Sequence, residues 1–179
     1  MANRSYLYSV DTVPELDNPP RPIRAISEHN WSIPLVHQLL AGRDPRVCWS
    51  MIWDHEIGIV ADFAGGLDLT TRFLRLLADT DAAEHQELRE HVASTLDFLA
   101  RPARAGRYFA LETGEILALG DDDLTGAAQR LVDSDIPYEV RQAESALAGE
   151  NEAWLADVRA NWLDHIGSSF ADVLYFSFT

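Results

Sequence analysis

The chain has 179 residues, 47% of them apolar and 24% charged, and its net charge is −15 from 29 acidic and 14 basic side chains. This length predicts a single globular domain spanning residues 1–179 that needs no metal or disulfide, and the one cysteine, Cys48, excludes an internal disulfide. The acidic balance disfavours nucleic acid and membrane surfaces as partners. Because the sequence shows neither a signal peptide nor about 20 consecutive apolar residues, we expect a cytoplasmic protein.

The first third of the chain is organised around the stretch from Ser27 to Phe63, which holds three of the five Trp residues and the cysteine. Before it, the alternation of Tyr6, Tyr8 and Val10 predicts a strand. Four prolines then make residues 11–24 an extended loop without regular structure. The central stretch is predicted to be mostly core, with a polar rim at its turns.

Two helix-start signals follow one another within this stretch. Ser32 is a good N-cap for a helix that has Pro34 in its first turn. The Asp44-Pro45 pair is a second signal of this kind and favours a helix over residues 45–53. The alternation of apolar residues there also fits a strand, so the choice between helix and strand stays open. Residues 57–63 are short and β-branched, which predicts a buried strand.

The remainder of the chain alternates between helical and strand patterns. Apolar stripes, caps and stop signals predict helices over 67–78, 82–100, 137–149 and 151–167, and another that begins at Asp121-Asp122-Asp123. Residues 107–111 and 115–119 are predicted to form a tight hairpin, and residues 172–178 alternate as a closing strand. We therefore expect an α+β fold: a helix-rich single domain with a small sheet in which the N- and C-terminal strands pair.

Parts of the sequence resemble known families. A family of uncharacterised bacterial proteins is similar to this chain in its opening, MANRSYLYS, in the segment from Ile26 to Pro34 and in the Asp44-Pro45 pair. The YfbM-like family of small bacterial proteins resembles it in outline, through a Tyr-rich first strand, a Trp-bearing middle and a final helix followed by Val173-Leu174-Tyr175. Neither resemblance implies an activity or a catalytic residue; both imply a soluble bacterial protein.

The sequence lacks the common signatures of cofactor and metal chemistry. It has no Gly-x-Gly-x-x-Gly, no P-loop, no His-Glu-x-x-His and no cysteine pair for zinc. All 14 basic residues are Arg, which excludes Schiff-base lysine chemistry. We therefore expect no cofactor and no metal site.

A polar and aromatic cluster precedes the first predicted helix. Glu28, His29 and Trp31 combine a carboxylate, an imidazole and an indole, which together could hold a small ligand in a loop. The simpler interpretation is that Trp31 anchors the loop while its neighbours make local hydrogen bonds.

A second polar cluster follows the 45–53 segment. Asp54, His55 and Glu56 lie at a turn, and Asp62 lies at the far end of the next strand. Carboxylates and imidazole are suitable ligands for a divalent metal. Adjacent residues do not easily converge on one ion, however, and a polar turn needs no further explanation.

Glu112 and Glu115 flank the predicted hairpin turn, where like charges would face each other unfavourably. A cation, a nearby arginine or a raised pKa on one carboxyl would relieve that repulsion. Paired carboxylates perform acid–base catalysis in glycosidases, whereas two glutamates at a solvated turn need no function.

Negative charge is concentrated between residues 112 and 157, where 12 acidic residues face two arginines. Such a field favours a basic protein partner, with Asp121, Asp122 and Asp123 as contact residues. The sequence therefore favours a non-catalytic binding module that neutralises a basic partner, as immunity proteins neutralise secreted nuclease toxins.

Two other functions stay open. The chain could be an enzyme or a small-molecule or metal-binding protein with a site near Trp31, Asp54 and Asp62. It could also form homo-oligomers through an exposed edge of the terminal strand pair.

Overall fold

A computed structural model describes residues 3–120 and 122–178. Its strands are β1 (Arg4–Val10), β2 (Ile23–Asn30), β3 (Arg46–Cys48), β4 (Gly58–Asp62), β5 (Tyr108–Glu112) and β6 (Ser169–Phe170). Its α-helices are α1 (Leu35–Leu40), α2 (Phe63–Ala78), α3 (Gln86–Leu99), α4 (Gly114–Leu117), α5 (Leu124–Arg130), α6 (Ile136–Leu147), α7 (Glu152–Ala160) and α8 (Trp162–Ile166). Short 3₁₀ turns span Ala83–His85 and Pro102–Arg104, and Leu131–Asp135 is π-helical.

The strands form one antiparallel sheet in the order β3-β4-β5-β1-β2-β6. The helices pack against one face of this sheet, so the predicted α+β class is confirmed. In the described part of the chain, no helix is both long and apolar enough to cross a membrane.

β1 lies in the middle of the sheet and is buried on both faces. Leu7 points into the large core shared with the helices. Tyr6, Tyr8 and Val10 point to the opposite face, where they form a second apolar cluster with Val60 of β4. Since successive side chains of a strand alternate between faces, both sides of the sheet must be covered.

The second face is covered by residues 171–178, which we call the C-terminal strap. The Tyr8 hydroxyl donates to the Phe176 carbonyl at 2.7 Å. The Phe176 ring packs 6.2 Å from the Tyr6 ring and the Phe178 ring 5.2 Å from the Tyr8 ring. Leu174 of the strap is buried. The alternating apolar pattern of the strap therefore reflects packing on a sheet face.

The expected pairing of the two terminal strands is replaced by a different arrangement. Both edges of β1 are occupied, by β5 and by β2. Near the C-terminus only the two residues of β6 join the sheet, and they pair with β2. Among the described residues, the sheet therefore has no terminal strand pair whose edge could bind a second copy of the chain. Its outer strands are β3 and β6.

The preferred helix over residues 45–53 is wrong, and the strand alternative is correct for its first part. Residues 46–48 form β3 and pair with β4. Asp44 has φ 51°, in the left-handed region, so it does not adopt the extended conformation of an N-cap. Cys48 is buried in the second apolar cluster. Pairing with β4 and burial of this face outweigh the local Asp-Pro signal.

The predicted hairpin after residue 111 is also wrong, because the chain turns from β5 into the short helix α4. A Cβ atom on Gly114 would lie 2.5 Å from the Trp53 indole nitrogen, so glycine is needed here for close packing of Trp53. As a result, Glu112 and Glu115 have separate partners. Glu115 accepts from the Arg4 amide at 2.9 Å and from the Tyr6 hydroxyl at 3.1 Å.

Glu112 is a buried carboxyl that holds the loop after β3. Only 2% of its surface is exposed. It accepts from the Ser50 hydroxyl at 2.5 Å and from the Met51 amide at 2.7 Å. Burial raises the pKa of Glu112 to about 7, although these two hydrogen bonds act in the opposite direction.

His37 of α1 is the corresponding buried group on the helical side. Its Nδ1 lies 3.1 Å from the Ser5 hydroxyl and its Nε2 lies 2.9 Å from the Ser27 hydroxyl. The Ser5 hydroxyl donates its hydrogen bond to the Ser32 carbonyl, so it can only accept from His37. Nδ1 of His37 is therefore the protonated nitrogen, and Nε2 accepts from Ser27. Burial lowers the pKa of His37 to about 3, and the imidazole stays neutral.

Other boundaries also differ from the sequence prediction. α1 begins at Leu35 without a side-chain cap from Ser32. The predicted helix over 151–167 is divided at Asn161 into α7 and α8. The loop expected over 11–24 ends two residues early, where β2 begins.

The close crossing of α1 and α2 gives a test of the packing. A Cβ atom on Gly66 would lie 1.9 Å from the Leu40 carbonyl oxygen. Gly66→Ala should therefore separate the two helices and lower the free energy of unfolding by about 3 kcal/mol, measured by urea denaturation. Gly120→Ala is the control, because a Cβ there meets no atom within 4 Å. Equal effects of the two substitutions would contradict the packing described here.

Glu112 gives a second test, through the pH dependence of stability. The stabilisation linked to its raised pKa is fully present below its ordinary value of 4.5 and is lost as pH rises through about 7. Glu112→Gln removes this titration. As pH rises across that window, the wild type should lose on the order of 3 kcal/mol of unfolding free energy relative to the variant. Glu150→Gln, at an exposed position, should show no such shift, and a flat difference for Glu112→Gln would refute the assignment.

Candidate functional site

The structure separates the residues of the first predicted cluster. Glu28 and His29 are neighbours on β2 and so point to opposite faces. Glu28 lies 3.8 Å from Arg4 Nε and accepts from the Tyr175 amide of the strap at 2.7 Å. His29 lies on the helical side, with Nδ1 3.2 Å from the Ser168 hydroxyl, and burial lowers its pKa. The two side chains do not share a site.

The second predicted cluster is also spread out. Asp54, His55 and Glu56 lie at an exposed bend, where the His55 carbonyl accepts from the Ser50 amide at 2.9 Å. Asp62 lies at the other end of β4 and caps α2 by accepting from the Gly65 amide at 2.6 Å. At roughly 3.3 Å per residue, β4 keeps this cap about 16 Å from the bend.

Trp31 is not close to either carboxylate. It follows β2, which is three strands away from β4 in the sheet, or about 14 Å at ordinary strand spacing. The structure therefore does not bring Trp31, Asp54 and Asp62 together. Within residues 3–120 and 122–178, no group of three or more His, Cys, Asp or Glu side chains is arranged to hold a metal ion.

The predicted partner-contact residues precede α5. Asp122 and Asp123 are exposed, and Asp123 caps the helix by accepting from the Gly126 amide at 3.0 Å. Asp121 lies outside the described residues. One of the three acidic side chains thus has a structural role in addition to its charge.

Trp31 lines a groove that the sequence did not predict, with a volume of about 440 Å³. We call it the Trp31 groove. Its walls come from the turn after β2, from α1 and α4, and from the π-helical segment that leads into α6. The lining residues are Trp31, Ser32, Ile33, Gln38, Ile116, Leu131, Asp135, Tyr138 and Glu139.

The Trp31 side chain is held in an exposed position by its backbone. Trp31 has φ 70°, a conformation that costs a non-glycine residue on the order of 1–3 kcal/mol. Its amide donates to the Asn3 carbonyl at 2.7 Å, and the carbonyl of Ser32 accepts from the Ser5 hydroxyl at 2.9 Å. Asn3, just before β1, and Ser5 of β1 therefore hold the backbone of this turn, while 61% of the Trp31 surface stays exposed.

The opposite wall combines an exposed aromatic ring with two carboxylates. Tyr138 is 51% exposed. Asp135 and Glu139 lie four positions apart across the start of α6, a spacing that places them on one helix face. Burial raises the pKa of Glu139, and the charge of Asp135 raises it further. In the described part of the chain neither carboxylate has an ion pair or a hydrogen bond.

The groove also contains a hydrogen-bond acceptor without a donor. The Gln38 side-chain amide donates to the Ile33 carbonyl at 3.0 Å. Its Oε1 atom is buried and accepts no hydrogen bond among the described residues. The lining thus offers aromatic surface and oxygen acceptors but no basic side chain, which suits binding of a positively charged group.

Sequence reasoning singled out Trp31 but missed the other wall of the groove. The sequence placed Tyr138 and Glu139 in the helix predicted over 137–149, and Asp135 only within the acidic stretch 112–157. The sequence did contain a signal for this wall, because Tyr138 lies between Asp135 and Glu139, whose spacing places them on one helix face. Only the fold brings this face beside Trp31.

Comparison with known proteins gives a family but no activity. No match was found among curated proteins or among solved structures. A family model described as a domain of unknown function matches residues 11–156, a range that contains every residue lining the Trp31 groove. The expectation of an uncharacterised family is confirmed at that level, and the finer resemblances stay predictions. The chain belongs to the DUF7822 family, a domain of unknown function.

Proposed function

We propose that this chain is a non-catalytic protein-binding module that neutralises a basic protein partner, in the manner of an immunity protein. The observation that carries the proposal is the Trp31 groove, where Trp31 and Tyr138 expose more than half of their surfaces beside two carboxylates that have no cationic partner among the described residues. Aromatic residues are typical centres of protein interfaces.

Acidic side chains outside the groove support the choice of a basic partner. They lie before α5, in the π-helical segment and along α7, and all are exposed: Asp122, Asp123, Asp133, Glu150, Glu152 and Asp157. Charges at the rim of an interface mainly accelerate association and select the partner. The groove would supply contact area and the surrounding acidic residues would supply steering.

An enzymatic role has less support from the geometry. Glu112 is the acidic group whose pKa is raised to about 7, but it is sealed beneath the loop after β3 and hydrogen-bonded on both oxygens. Asp54 and Asp62 lie apart. A general acid or base needs contact with its substrate, and these carboxyls suit structural roles instead.

The setting of the module is part of the proposal. We place it in the bacterial cytoplasm, where the buried thiol of Cys48 needs no partner. Self-association stays a separate prediction, and the outer strands β3 and β6, of three and two residues, offer little backbone for it.

The proposal is tested by capturing partners from the native lysate with the tagged full-length chain at low and high salt. We expect a stoichiometric basic protein at low salt that is lost at high salt. Changing Asp121, Asp122 and Asp123 together to Asn should weaken its binding about tenfold, while Asn still caps α5.

The matched control changes Asp81→Asn, Glu84→Gln and Glu87→Gln, which removes the same charge from exposed positions around the start of α3. Affinity should stay within about twofold of the wild type, because these charges are not rim charges of the proposed interface. Equal loss from both triple variants, affinity that does not depend on salt, or no basic protein in the eluate would each contradict the proposal.

A further inference from the structure

We infer that the Trp31 groove is an arginine-binding site, which takes one guanidinium group of the partner between Trp31 and Tyr138 and pairs it with Asp135 and Glu139. This inference rests on the proposed function and deepens it by naming the chemical group that the module recognises. It concerns a different set of residues from the acidic residues before α5.

Among the described residues that line the groove, no basic side chain compensates its two carboxylates. Asp135 and Glu139 share a helix face, and the charge of Asp135 acts against ionisation of Glu139. Like charges at this spacing destabilise a helix, and the groove lining has no basic side chain to relieve them. A bound cation would remove the repulsion, so the groove gains more from a cationic ligand than from a neutral one.

Among cations, a guanidinium fits the groove best. Within the described residues the two carboxylates belong to no group of three or more metal-ligating side chains, so a metal ion here would be held mostly by water. A guanidinium is planar, stacks on aromatic rings and has five N–H donors that match carboxylate oxygens in pairs. The groove offers two aromatic rings and two carboxylates. An ammonium has no planar face for the rings.

The backbone of the Trp31 turn is held in place by two hydrogen bonds. The Trp31 amide donates to the Asn3 carbonyl, just before β1, and the Ser5 hydroxyl of β1 donates to the Ser32 carbonyl. The backbone that carries the ring therefore adds no ordering cost of a mobile loop on binding. Strained backbone in a rigid turn beside a π-helical segment is a combination found at binding sites.

The test is an NMR titration of the full chain with three short peptides, Gly-Arg-Gly, Gly-Lys-Gly and Gly-citrulline-Gly. Citrulline keeps the shape of arginine without its charge. The Trp31 indole N–H signal, assigned by its loss in Trp31→Phe, should shift with the arginine peptide in the millimolar range. The lysine peptide, which lacks a planar group, should bind at least about fivefold more weakly than the arginine peptide. The citrulline peptide, which lacks the charge, should bind at least about tenfold more weakly.

Single variants locate the interaction. Glu139→Gln and Asp135→Asn should each weaken arginine-peptide binding at least about fivefold. Glu87→Gln removes the same charge at an exposed position of α3 outside the groove and should leave arginine-peptide binding unchanged. Equal binding of the citrulline or lysine peptide, or equal effects of the groove and control variants, would overturn the arginine assignment.

The two proposals can fail separately. If the lysate yields a basic partner that depends on Asp121–Asp123 but the arginine peptide does not shift the Trp31 signal, the inference fails and the binding module stands. If the arginine peptide binds as expected but no basic protein is captured, the guanidinium site stands and the proposed neutralising function fails.

Discussion

Burial of β1 on both faces is the constraint on which the rest of the structure depends. Every residue from Ser5 to Val10 is buried, in the centre of a sheet whose other strands lie on either side. A sheet exposed on one face could not accommodate Tyr6 and Tyr8 together with Leu7. The chain therefore needs two covers, a helical layer on one face and the C-terminal strap on the other.

The same strand positions the candidate site. The groove begins where β2 ends, and the antiparallel register places that point beside the start of β1. A hydrogen bond to the Asn3 carbonyl and one from the Ser5 hydroxyl hold the backbone of the Trp31 turn. α4 leaves β5 at the same end of the sheet and contributes Ile116. A strand that is buried on both faces thus supports the most exposed tryptophan of the described residues.

The sequence predicts the parts of this fold whose signals are local. Alternation predicted β1, and Pro137 in the first turn predicted α6. The helix predicted over residues 45–53 is wrong because Asp44 adopts a left-handed conformation and the following residues pair with β4, which lies beyond a loop. The hairpin predicted around Gly114 is wrong because close packing against Trp53 determines the conformation of this turn. The sequence indicated only the Trp31 side of the groove. Its two walls are distant in sequence and meet through the sheet register and the packing of α6.

The two buried ionisable groups beside β1 have a joint consequence. His37 approaches the strand from the helical face through Ser5, and Glu112 pairs beside Tyr6 and points to the other face. Between about pH 4.5 and 6.5 the unfolded chain holds a proton on the imidazole that the folded protein lacks, and the folded protein holds a proton on the carboxyl that the unfolded chain lacks. One group makes stability rise with pH and the other makes it fall. Their slopes have opposite signs, so together the two groups make stability depend less on pH in this range than either group would alone.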